Sequence, residues 1–363
     1  MKTMGNIGNG KAHGGGLIGF LPFLLVSLLG LVTLADPLHG KLGSATGGST
    51  TAVTFSGQAY AVKAAVPLAG INTVISDTGG LPGSGGQLEA SLLDVEVPGL
   101  LTAEVAHAAT VGQGDRSRSE ASLANLNLTV GGNTITADFL MSRAMAVCGA
   151  APTGSSEIAN LVVNGQTITV GTQPNQTVTL PNGTIVINEQ TSSSSQKNKN
   201  GSSDITVNAL HVTINDLSGG VLADVIIASA HADIDCKGKP ACTGGDFVTG
   251  GGWITPSGAR ANFAVAGGIK NTGFWGHLQY QDHGIGLKVH GTAVTAYTVV
   301  DPTTRHIEGT AEVNGQPGFT YQVDVSDNGE PGRQDTFAVT LSSGYTASGL
   351  LSGGNIQLHQ PCK

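Results

Sequence analysis

Leu128-Thr-Val-Gly-Gly-Asn-Thr-Ile-Thr-Ala137 decides the fold class, and Leu161-Val-Val-Asn-Gly-Gln-Thr-Ile-Thr-Val170 writes the same pattern a second time. In each, two short runs rich in β-branched residues flank a pair, Gly131-Gly132 or Asn164-Gly165, that tolerates the positive φ angles of a tight hairpin turn. Leu180-Pro-Asn-Gly-Thr-Ile-Val-Ile187 adds an expected Asn-Gly turn. Outward from these hairpins, alternation starts at Val53-Thr-Phe-Ser-Gly-Gln-Ala-Tyr-Ala-Val62 and recurs along the chain between Gly, Pro and Asn punctuation.

The composition agrees with that reading. With 55 glycines, 12% charged residues and few helix formers among 363 residues, the chain reads as all-β, built of two consecutive, largely antiparallel β-sandwich-like domains. A net charge of -8, spread without blocks, offers no basic footprint for nucleic acid.

The division falls at Asp235-Cys-Lys-Gly-Lys-Pro-Ala-Cys-Thr-Gly-Gly-Asp246, a Pro/Gly joint with a cysteine near each end. We expect a first β domain over 52–236, a joint over 237–245 and a C-terminal β-sandwich module over 246–363. Of the connectivities that four cysteines allow, Cys148–Cys236 with Cys242–Cys362 places one staple in each domain. An even cysteine count without a CxxC motif suits oxidising conditions and structural disulfides.

Leu17 to Ala35 is an uncharged apolar run behind Lys2, Lys11 and His13, with Thr33-Leu-Ala35 as a small-residue cleavage site. Residues 1–35 therefore read as an export signal, or as an uncleaved anchor, since the run just reaches the about 18 to 20 residues that span a bilayer. Residues 36–51 form a linker, and everything after them is expected outside the cytoplasm or on the cell surface. Membrane contact is expected only through the N-terminal segment if it is uncleaved.

In the second domain, strands are expected at 247–254, 261–266, 274–281, 287–300, 306–313, 319–325, 336–341 and 349–359. Thr191 to Ser203, a polar low-complexity stretch, is expected to be an exposed loop.

Several segments resemble the choice-of-anchor P family of exported bacterial proteins: Val163-Asn-Gly165, Leu180-Pro-Asn-Gly-Thr-Ile-Val-Ile-Asn-Glu-Gln190, Ala209-Leu-His-Val212 and Ala223-Asp-Val-Ile-Ile-Ala-Ser-Ala-His231. Asp246-Phe-Val-Thr-Gly-Gly-Gly-Trp-Ile254, Asp327-Asn-Gly-Glu-Pro-Gly332 and Gly354-Asn-Ile-Gln-Leu-His359 resemble the module that often follows such a domain. The resemblance implies an extracellular or surface protein without an established activity, and it carries over no catalytic residue. The closing Gln360-Pro-Cys-Lys363 has no sorting motif, so covalent anchoring there is not expected.

Candidate chemistry is sparse. Asp324, Ser326, Asn328, Glu330 and Asp335 follow the spacing of a calcium loop, with Gly329 at its sharp turn. The same stretch also reads as a Pro/Gly hairpin loop with Asx turns, and bound calcium there would be structural. In Phe274-Trp-Gly-His-Leu-Gln-Tyr-Gln-Asp-His283, alternation puts His277, Gln279, Gln281 and His283 on one face, with Lys288 and His290 together on the next strand. That face reads as polar and solvent-facing, a cross-strand zinc pair being the sharper alternative. His107 and His231 read as packing or hydrogen-bonding positions. Trp253, Trp275, Tyr280, Tyr297 and Tyr321 read as core aromatics or, if exposed, as a sugar platform. No Gly-x-Ser-x-Gly turn places a nucleophile.

The sequence thus points to an exported structural or interaction protein without catalytic activity, meeting a surface or matrix partner that could be a glycan. A carbohydrate-binding module is the alternative. An extracellular hydrolase is the third reading, and it demands two carboxylates in one cleft.

Overall fold

A computed structural model describes residues 52–195, 201–238, 244–270 and 272–360. The apolar run at 17–35, the linker over 36–51, and Cys242 and Cys362 lie outside the described residues, as does the middle of the joint. The protein is all-β, and its strands pair antiparallel throughout.

The first lobe is a sandwich of two sheets. One runs in the order 176–180, 183–194, 202–215, 221–235, 54–66, 71–77. The other centres on the long hairpin Arg116–Val130 and Asn133–Val147, flanked by Ala106–Gln113 on one side and Thr153–Ala159 on the other. Small residues let the sheets approach: Ala59, Ala61, Ala108 and Ala121 are buried between them, and Leu123, Leu140, Leu210 and Ile227 fill the remaining space. Cys148 and Cys236, 88 positions apart in the sequence, are disulfide-bonded beside a small cluster of Ala144, Ala146, Val207 and Ile234.

The second lobe is one curled nine-stranded sheet, ordered 346–350, 336–341, 316–326, 304–313, 287–299, 273–282, 261–270, 247–254, 353–359. Its core is aromatic: Phe263 and Phe337 stack at 4.1 Å, with Tyr280 and Tyr321 buried alongside. At the lobe's start, Arg305, fully buried, grips Asp246 through Nε at 2.6 Å and Nη2 at 2.5 Å, and Tyr297 donates to the same carboxylate. A bidentate guanidinium satisfies a carboxylate that burial would otherwise penalise.

The hairpin turns at Gly131-Gly132 and Asn164-Gly165 carry positive φ at both residues, as the sequence required. Four expectations change. At Leu180–Gly183 the turn is Pro181-Asn182, and Gly183 already pairs with Leu180, because proline presets the φ of a turn's first position. The stretch Thr191 to Ser203 is not wholly loop, since Ser194 still pairs with Ser203 and Thr191 with Thr206; β-branched and hydroxyl pairs extend the ladder beyond the apolar run. The expected strand 349–359 is two, Thr346–Leu350 and Gly353–His359, which pair with opposite ends of the sheet. The fourth concerns the histidine face, and it changes the candidate site.

The two lobes meet along a seam. Phe139 and Trp253 lie 4.8 Å apart at its apolar end, joined by Val105, Ala124, Met141 and Ala264. Gly251 marks the closest approach of the strands: a Cβ there would stand 2.5 Å from the Ser122 hydroxyl.

Candidate functional site in the seam between the lobes

Alternation along Arg116–Val130 builds the site. Ser117 and Ser119 point into the first lobe's sandwich, where their hydroxyls donate to the carbonyls of Ser56 (3.4 Å) and His231 (2.5 Å). Arg116, Arg118, Glu120 and Ser122 therefore project from the other face, toward the second lobe.

Glu120 is buried, and its Oε1 meets two partners: His107 Nε2 at 3.4 Å and the Thr249 hydroxyl, which donates to it at 3.1 Å. Thr249 Oγ1 also lies 2.9 Å from His359 Nε2. With the one threonine proton given to Glu120, His359 must supply the proton of its own bond to Thr249. The order is thus His359 to Thr249 to Glu120, and it crosses the seam. Burial, reinforced by the Arg118 charge, pushes the His359 pKa down to about 3, so the ring is neutral. Phe247 stacks on it at 4.4 Å. Burial raises the Glu120 pKa, but the hydrogen bond and charge of His107 outweigh it and hold the carboxyl below its ordinary value.

The face bearing His277, Gln279, Gln281 and His283 corrects the expectation of a solvent-facing surface. His277, Gln279 and Gln281 are buried, because this face packs on the first lobe. His277 Nδ1 lies 2.5 Å from Glu89, and the His107 and His277 rings are 5.6 Å apart. His283 pairs with Glu104 at 2.9 Å. Gln279 takes its partners from His290 and Ser91, and Lys288 pairs with Asp94 across the seam. His277, Gln279, His283 and Lys288 each find a partner on the facing lobe, which offsets much of the penalty of burying a polar face, whereas Gln281 Oε1 and His277 Nε2 are buried without one.

At one end the seam opens into a cavity of about 330 Å3, lined by Arg118, Glu120, Arg143, Ser155, Glu330 and Gln357 among others. A second cavity of about 350 Å3 adjoins it, sharing Arg118, Glu330 and Gln357 and adding Arg116, Asp327 and His359. Arg143 donates to the Pro331 carbonyl at 3.1 Å and lies 3.6 Å from Glu330. Burial, more than its neighbours Glu120 and Asp327, raises the pKa of Glu330. Arg118 makes no ion pair among the described residues, and its Nε is buried without a hydrogen-bond partner; burial, then the like charge of Arg116, lowers its pKa.

The candidate calcium-loop residues are hydrogen-bonded to protein groups, and Asn328 and Asp335 to each other. Asp324 accepts from His306 Nδ1 at 2.7 Å, and Ser326 bonds to Thr304. Asp335 is buried, pushed up by burial to about 6, and accepts from the backbone of Asn328 and Ile356. Glu330 accepts from Asn355 and Gln357. Among the described residues no group of three or more His, Cys, Asp or Glu side chains could hold a metal ion. His231 bonds to Asp204 at 2.9 Å, and His107 lies in the seam. Trp253, Tyr280, Tyr297 and Tyr321 are buried, and Trp275 is half-buried with Lys270 over its ring at 4.2 Å.

The sequence reading missed Arg118 and Glu120. Their signal is charge at alternate positions, Arg116, Arg118 and Glu120, within a strand whose other residues are all uncharged.

No known family's sequence pattern matches the chain, and no curated protein matches it. Among solved structures, a protein of Nitrosomonas europaea provisionally described as AttH is similar at 9% identity, over 69% of this chain and 91% of that one, with a TM-score of 0.18. A likeness of that size carries no inference about fold or activity.

Proposed function

We propose that the chain is an exported protein, displayed at a surface or secreted, that holds a partner without transforming it. One observation carries this reading: the two lobes are locked by a buried polar seam that leaves a charged cleft at its end, the form of a stiff frame presenting a binding site. The apolar run at 17–35 and the resemblance to choice-of-anchor P proteins support export. The disulfide supports an oxidising compartment. The hydroxyl best placed to be activated, that of Thr249, is 1% exposed and spends its proton on Glu120 inside the seam.

A hydrolase is the second reading, favoured by one specific arrangement. Glu120 and Glu330 line the same cavity, with pKa values displaced downward and upward respectively, the pattern of a paired base and acid. Surface proteolysis and fractionation of expressing cells test export. Incubation of the purified chain with mixed oligosaccharides, peptides and esters, read by mass spectrometry, tests the rest. The expected result is unaltered compounds. Turnover that Glu120→Gln abolishes would move the protein to the hydrolase reading.

A further inference from the structure

We infer that the cavity at Arg118 is a binding site for a neutral polyhydroxylated ligand, a glycan residue whose hydroxyls accept from Arg118 and donate to the acidic wall. The inference rests on the interaction reading, since it assigns capture and no chemistry.

Two atoms at this wall lack protein partners although both are buried: Arg118 Nε, a donor, and Glu120 Oε2, an acceptor. Glu120 is only 5% exposed, and it lines the cavity. Orphaned buried polar atoms are uncommon in folded proteins, and here one of each kind shares one cavity. The two residues stand two apart on one strand, so their Cα atoms are about 6.5–7 Å apart on the same face, within the span of one sugar ring and its hydroxyls.

Charge decides among ligand classes. Arg116, Arg118 and Arg143 line the two joined cavities, but so do Asp115, Glu120, Asp327 and Glu330. Arg116 is already paired with Asp115 at 3.0 Å. With three guanidiniums against four carboxylates, the site has no positive excess to hold a phosphate, sulfate or polyanion. A hydroxyl both donates and accepts, so it can satisfy guanidinium and carboxylate together. Glu330, whose side chain is 55% exposed, stands at the mouth with the amide of Gln357 beside it. Ser155, in register with Arg143 and through it with Glu120, lines the same cavity from the neighbouring strand, and its small side chain leaves that part of the volume open.

The test is an array of neutral and uronic-acid oligosaccharides probed with the full mature chain, Arg118→Met and Ser155→Trp. The first variant removes the donor and keeps an apolar stem. The second fills the cavity from its wall and leaves the seam intact, so it remains informative if Arg118→Met fails to fold. Binding of a neutral glycan, weakened at least about tenfold in both variants and unmoved by added salt, is the expected result. No binding to any glycan, or binding only of acidic glycans that salt abolishes, overturns the inference. Neutral-glycan binding unchanged in both variants removes this site but leaves the interaction reading in place. Binding at the site with cleavage of the bound glycan keeps the site and overturns the interaction reading.

Discussion

Glu104, from the first lobe, and His283, from the second, meet at 2.9 Å across the seam, and Asn125 and Asn262 both donate to the same carboxylate. The carboxylate thus gathers donors from both lobes. Glu104→Gln halves its accepting capacity while keeping its shape, and a hydrogen bond to a charged group is worth about 1.5–3 kcal/mol when mostly desolvated. Both side chains are about a quarter exposed, at 28% for His283 and 22% for Glu104, so about 1–2 kcal/mol is expected. A double-mutant cycle with His283→Ala, followed by chemical denaturation, should show non-additivity. Additive losses would mean that the contact does not couple the lobes.

His359 sets an acid limit on the seam. Its pKa falls from the ordinary 6.5 to about 3 on folding, so between those values the unfolded chain binds the extra proton. Stability therefore declines as pH falls from about 6.5 toward 3 and is unaffected by this group above that window. In His359→Gln that part of the pH slope should disappear. At neutral pH the variant loses the stack on Phe247, about 0.5–1.5 kcal/mol. Denaturation midpoints from pH 3 to 8 check both points, and parallel curves for the two chains would assign the slope to another group.

How much of this was legible in the sequence varies with what each signal fixes. Gly131-Gly132 and Asn164-Gly165 declared their hairpins because few other residues accept positive φ, and Phe247–Ile254 and Thr336–Leu341 matched the expected strands. Placement favoured Cys148–Cys236 among the three pairings that four cysteines allow, and that bond is present. Alternation also put His277, Gln279, Gln281 and His283 on one face, but it cannot say what covers a face. Polar composition favoured water, and the actual cover is a second polar face bearing Glu89 and Glu104. For the same reason Arg118 and Glu120 were passed over: their meeting with Thr249, Glu330 and His359 depends on how the lobes dock, over sequence distances that no local pattern reports. The spacing of Asp324, Ser326, Asn328 and Asp335 was visible, yet spacing left open whether their oxygens turn toward a metal or into the sheet.

The disulfide is expected to carry much of the first lobe's stability. Its 88-residue separation gives about 4–5 kcal/mol in the chain-entropy account, and removal of native bridges typically costs about 2–5 kcal/mol. Cys148→Ser with Cys236→Ser should lower the melting temperature of that lobe and make it insensitive to reductant. The buried alanines around the bridge leave little room to compensate for lost contacts. A double variant that melts with the wild type would show that sheet packing alone closes this end of the sandwich.

Gly353 supports the seam from behind. A Cβ there would lie 1.7 Å from the Trp253 ring, whose other side packs on Phe139 in the first lobe. Gly353→Ala must therefore push the indole toward the seam or bend the strand Gly353–His359 away from Phe247–Ile254. Overpacking of this kind costs about 1–3 kcal/mol, occasionally more. Gly83 provides the contrast, since it has open space around its Cα and no positive φ. Gly83→Ala should be neutral or stabilise by about 0.4–1 kcal/mol through the unfolded chain. Denaturation of both variants, followed by tryptophan fluorescence, separates the steric effect from the backbone one. Equal midpoints would show that Trp253 has room to move and that the seam does not depend on its placement.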